Sequence, residues 1–136
     1  MKLLPAAAMC ALALAVAGCG DDDDQPARES GSAARLEVVV RPGGDGARER
    51  RTTVECDVLG AGASNAICRR LGGLSRADLA SVPGATACAQ IYGGSAVATV
   101  SGTLGGEPVE ARFKLTDSCE IERWRRNRAL LGAVPR

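Results

Sequence analysis

The chain contains no histidine. That removes the Ser-His-Asp and Cys-His arrangements that activate a nucleophile, and every metal site that needs an imidazole. Its 16 Asp and Glu residues are scattered along segments whose patterning turns them to water, so no two form an acid–base couple. No glycine loop leads from a strand into a helix to cradle phosphate. Hydrolase or transferase activity is therefore not expected, and no cofactor or metal is implied. The distinctive chemistry left is cysteine, six residues in all. One of these opens the stretch Cys88-Ala89-Gln90-Ile91-Tyr92, which closes on one of only three aromatic residues in the chain. Gly93-Gly94 and a β pattern follow. An extended segment tied at one end ahead of a sheet can be offered to a partner in one fixed shape. Two charge clusters read as bland. Asp21-Asp22-Asp23-Asp24 has no EF-hand spacing and reads as a solvated spacer. Arg123, Arg125, Arg126 and Arg128 around Trp124 read as a wet helix face, with Trp124 packed on a sheet, in preference to a site for anionic headgroups or a cell-wall polymer.

The N-terminus bears on which cysteines are free to pair. Met1-Lys2 is a short basic start, and residues 3–16 are apolar apart from Pro5. This run is shorter than the roughly 20 residues that span a bilayer, and its flanks fit an export signal. Val16-Ala17-Gly18-Cys19 resembles the bacterial lipobox. The resemblance implies that residues 1–18 are a lipoprotein signal peptide and that Cys19 becomes a lipid-bearing N-terminus. Its acyl chains would anchor the protein to the outer face of the bacterial cytoplasmic membrane. Residues 19–34, rich in Asp, Gly, Ser and Ala, then form an acidic tether that cannot bury enough apolar area to fold. Removal of the signal takes only Lys2 from the 17 Lys and Arg, which leaves them level with the 16 Asp and Glu. Bulk charge thus gives no reason to expect nucleic acid as a partner.

Cys56, Cys68, Cys88 and Cys119 remain after Cys10 and Cys19. Four cysteines in an exported domain read as two disulfides with three ways to pair. A four-cysteine zinc site is disfavoured, because no two stand in C-x₂₋₄-C spacing. A core built almost entirely of Val, Leu, Ile and Ala in so short a domain needs such staples.

The elements that must position these residues are legible from periodicity. Residues 36–41 and 52–57 read as strands, the second with Thr52, Val54 and Cys56 on one face. Ser64 can cap a short helix that runs to Leu71, and Ser75-Arg76-Ala77-Asp78 looks like a capping box. Residues 95–104 and 107–116 read as a hairpin about Gly105-Gly106, whose positions can both take φ > 0. Val109, Ala111, Phe113 and Leu115 alternate with Glu110, Arg112, Lys114 and Thr116, so one face is buried and one wet. Asp117 starts a further helical segment. The fold class is α+β: an antiparallel sheet with two or three short helices on one face and two disulfides. The domain is bounded at residues 35–123, with 124–136 an Arg-rich tail.

The cysteine order, the Cys88-x-x-x-Tyr92 segment, the run Gly102-Thr103-Leu104-Gly105-Gly106-Glu107-Pro108-Val109 and Asp117-Ser118-Cys119-Glu120 together resemble the bacterial subtilisin inhibitor-like family over residues 36–121. The resemblance implies a five-stranded antiparallel sheet with two helices, the pairing Cys56–Cys68 and Cys88–Cys119, and a homodimer. By the chain-entropy model, each of these disulfides would contribute about 3–4 kcal/mol. The resemblance further implies inhibition of a subtilisin-like serine protease through a substrate-like loop. The reactive bond would be Gln90–Ile91, with Cys88, Ala89, Tyr92 and Gly93 as the rest of the binding loop. Such a loop enters the cleft as an extended strand and, being stapled, loses little entropy there. Four features depart from the family pattern. Gln90 is polar where apolar or cationic residues are common. Gly93-Gly94 replaces Asp-Pro and is expected to loosen that side. Asp117 replaces an asparagine and lacks an amide to brace the loop. An Arg-rich end replaces an aromatic one. The alternative expectation is a non-inhibitory surface lipoprotein that keeps the fold as a binding or structural module.

Overall fold

The computed structural model describes residues 33–135. The signal segment, Cys19 and the tether as far as residue 32 lie outside the described residues. Four strands, β1 (Ala34–Arg41), β2 (Arg50–Cys56), β3 (Val97–Leu104) and β4 (Glu107–Phe113), form one antiparallel sheet in the order β2-β1-β3-β4. The expected fifth strand has no counterpart among the described residues. Residues 81–96 form no ladder.

Period-2 patterning decides the two faces of the sheet. Leu36 sits between Val54 and Gly102, and Val38 between Thr52 and Val100, which in turn faces Ala111. Leu36, Val38, Val100 and Phe113 are fully buried, each side chain contributing about 1.5–3 kcal/mol. On the other face, rows such as Glu55–Arg35–Thr103 and Thr53–Glu37–Ser101 meet water. Gly102 lies in the inward row because nothing larger fits: a Cβ there would stand 2.1 Å from the Arg35 carbonyl oxygen. The β3–β4 turn takes positive φ at both Gly105 and Gly106, as the two-glycine sequence requires.

Four short helices cover the apolar face: α1 (Ala66–Arg70), α2 (Arg76–Leu79), α3 (Ser118–Arg126) and α4 (Arg128–Leu131). Asn65, one residue after Ser64, caps α1 by accepting the Ile67 N–H at 2.9 Å. The Asp78 carboxylate accepts both the N–H and the hydroxyl of Ser75, which completes the capping box of α2. Asp117 Oδ1 accepts the Cys119 and Glu120 N–H groups, each at 3.0 Å, and starts α3. Two disulfides join Cys56 to Cys68 and Cys88 to Cys119. They are the covalent mark of an oxidising compartment. No helix among the described residues is long and apolar enough to cross a membrane.

The domain extends past both sequence boundaries. β1 begins at Ala34, which is fully buried. Residues 124–131 continue α3 and add α4, whose Leu130 and Leu131 are core residues. Trp124 is half-buried against that core, and Arg125, Arg126 and Arg128 are exposed, as a wet helix face requires. Arg123 is the correction, since it is buried rather than wet. Its guanidinium lies 4.1 Å from the centre of the Phe113 ring. It donates to the carbonyls of Leu79 (2.7 Å) and Arg112 (2.6 Å) and pairs with Glu120 at 3.1 Å. These partners satisfy its two terminal nitrogens, as a buried cation requires, while Nε has none, and the residue ties α2 and β4 to α3.

Candidate functional site

Residues 81–96 pass from α2 to β3 without joining a helix or strand, so their shape depends on a few fixed points. The first is covalent: Cys88 is half-buried and bonded to Cys119 in the first turn of α3. The second is a reciprocal pair of hydrogen bonds. The Ala89 N–H donates to Ser118 Oγ at 2.9 Å, and the Ser118 N–H donates to the Ala89 carbonyl at 2.9 Å. The third is at Gly93, whose N–H donates to the Leu115 carbonyl at 2.7 Å. Gly93 lies so close to Ile121 that a Cβ would stand 2.9 Å from Ile121 Cδ1.

Only Gln90, Ile91 and Tyr92 lie between the second and third points. All three are exposed, Ile91 at 54% and Tyr92 at 72%. The fold thus gathers every residue of the expected loop at one edge: Cys88, Ala89, Gln90, Ile91, Tyr92, Gly93 and, beneath them, Cys119. The other disulfide, Cys56–Cys68, is buried at the α1 end of the sheet and takes no part.

Three local expectations change. The segment is not extended throughout, because the Ile91 N–H donates to the Ala89 carbonyl at 2.9 Å and closes a three-residue turn about Gln90. Gly93 does not loosen its side of the loop; it allows the close approach that makes the third fixed point. Asp117 does not need to brace the loop, because its neighbour Ser118 does so while Asp117 caps α3. Hydrogen bonding to the Glu120 N–H, then to the Thr116 hydroxyl and the Cys119 N–H, holds the Asp117 carboxyl below the usual aspartate range. Sequence reasoning places Leu115 on a strand and Ser118 in the run that starts a helix, but does not bring Ser118, Leu115 and Ile121 to the loop. The one available signal for Ser118 was its place between a helix cap and the last cysteine.

The Asp117 carboxylate and the sulfurs of Cys88 and Cys119 lie within 4.8 Å of one another. Both sulfurs are spent in an S–S bond, so they offer no thiolate to a metal. The loop itself carries no ionisable group other than the Tyr92 phenol. What the arrangement offers is shape: a three-residue uncharged display between pinned ends. Set against protein-family models, curated proteins and solved structures, the chain matches none.

Proposed function

We propose that this chain is an extracytoplasmic inhibitor of subtilisin-type serine proteases, anchored by lipid on Cys19, which offers Gln90–Ile91 as a substrate-like bond. The observation that carries the reading is that both sides of this bond are held independently of it. Cys88–Cys119 and the Ala89–Ser118 pair hold the side before it, and Gly93–Leu115 the side after it. A segment held in this way loses little conformational entropy on entering a cleft. If the bond is cut, each new end stays within two residues of a fixed point and cannot diffuse away as product. Substrate peptides lack both properties. The test is residual activity of a panel of subtilisin-type proteases titrated with the purified chain, with mass spectrometry of the loop. Sub-micromolar slowing, with Gln90–Ile91 intact or only partly cut in a stable complex, is the expected result.

A second reading is favoured by the turn at Gln90. The Ile91 N–H is already bonded to the Ala89 carbonyl, so the segment must open before it can lie as an extended strand. On this reading the domain is a non-inhibitory binding module. The same assay would then find the bond ignored, or cleaved with no lasting complex.

A further inference from the structure

We propose that recognition by this loop is carried by the two side chains after the Gln90–Ile91 bond, and that its partner is a protease whose cleft is apolar on the leaving-group side. This rests on the reading of the loop as a protease-binding segment, and it names the kind of protease.

The two sides of the bond differ in what they display. Before it stand Ala85, Thr86, Ala87, Cys88, Ala89 and Gln90. These are small or polar, and the one sulfur among them is turned into the disulfide. After it stand Ile91 and Tyr92. Among the described residues the large apolar side chains left in water are Val58, Ile91 and Tyr92. Two of these three are therefore neighbours on a single loop, while Val58 lies beyond β2, near the other disulfide. Ile91 and Tyr92 together put the apolar area this loop can offer a partner on one side of the bond.

Rigidity favours the same side. Gly93 is fixed immediately after Tyr92, so the ring projects from a residue next to a pinned backbone position. Tyrosine has only two side-chain torsions to freeze and supplies a large area, which is why it recurs at binding hot spots. Gln90 has a long polar side chain. Its burial costs rotamer entropy and requires partners for both ends of its amide. With no charge between Ala85 and Gly94, ion pairing from the loop cannot supply affinity in their place.

The experiment uses a subtilisin-type protease that the wild-type chain slows, and compares inhibition constants for Gln90→Ala, Ile91→Ala, Tyr92→Ala and Tyr92→Phe. Ile91→Ala and Tyr92→Ala are each expected to weaken inhibition about tenfold or more. Tyr92→Phe and Gln90→Ala are expected to stay within about threefold of wild type. All three positions are exposed, so thermal unfolding should be unchanged and serves as the control for folding. A loss for Gln90→Ala equal to or larger than that for Tyr92→Ala, in a chain that does inhibit, overturns this inference alone. A wild-type chain that slows no protease in the panel overturns the inhibitor reading and this inference together.

Discussion

Ser118 spends its backbone N–H and its hydroxyl on one residue, Ala89, and so couples the start of α3 to the loop without any charge. Ser118→Ala keeps the N–H bond and removes the hydroxyl acceptor. The freed Ala89 N–H is exposed and can turn to water, so the stability cost should sit near the low end of about 0.5–1.5 kcal/mol. Loop cleavage by an excess of protease should nevertheless quicken, a combination that thermal unfolding and timed mass spectrometry would show. If stability falls by several kcal/mol, or cleavage does not change, Ser118 is not the brace described above. None of this was legible beforehand, because a serine next to a helix cap has no pattern that reveals a partner 29 residues away. Asp117 was legible as a helix start, because capping is a local matter of one side chain and the next two or three N–H groups. Arg123 misled for the opposite reason. The nearby Arg125, Arg126 and Arg128 do face water, and its burial is explained by the Leu79 and Arg112 carbonyls, Glu120 and the Phe113 ring, most of them distant in sequence.

The strands are legible to within two or three residues: alternation marks β2 and β4, β1 shows as a Val-rich run ended by Pro42-Gly43-Gly44, and β3, whose burial is less regular, is closed by the Gly105-Gly106 turn. The helices were harder. They run four to nine residues, too short to be stable by themselves, and packing sets their limits. No fifth strand forms among the described residues, and residues 81–96 bond to Ser118 and Leu115 rather than to a neighbouring ladder. Gly102 gives the sharpest test of the register. Gly102→Ala would drive a methyl into the Arg35 backbone at a φ of 138°, in the strand beside β1. It should cost more than about 3 kcal/mol and leave little folded protein; circular dichroism matching wild type would mean the strands pair differently. The two disulfides also separate at this scale. Cys56 and Cys68 are buried at 3% and 2% exposure, whereas Cys88 and Cys119 are half-buried. Accessible disulfides exchange first. A graded dithiol treatment followed by alkylation should label Cys88 and Cys119 while the other pair stays closed. Parallel labelling of both pairs would contradict the burial.

Taken whole, the described domain holds four carboxyls below their usual range: Asp45 through Arg112, Glu49 through Arg51, Asp78 through Ser75, and Asp117 through the Glu120 N–H. A carboxyl depressed in the folded state leaves the unfolded chain binding more protons near its ordinary value. Stability therefore rises with pH through that window and is fully present above it. With no histidine to titrate near neutrality, the urea midpoint should be level between about pH 5.5 and 8 and fall as pH drops from about 5 toward 2. A step near pH 6.5 would be unaccounted for. The expected anchor is tested separately: Cys19→Ala should move the protein from the membrane fraction to the soluble one, with the domain's unfolding unchanged. Sequence carried the broad class of the molecule well, because sidedness and cysteine number are countable. It carried the place of the displayed loop through Cys88 and Tyr92, but the Cys88–Cys119 staple only through resemblance and the loop's shape not at all, because that shape comes from contacts with α3. A chain threaded N-terminus first into an oxidising compartment delivers Cys56 and Cys68 together, 12 residues apart, well before Cys119. The inner crosslink can close while its competitors are still in transit, and order of arrival then protects the pairing. The outer crosslink waits for α3, so the displayed loop is the last part to be finished.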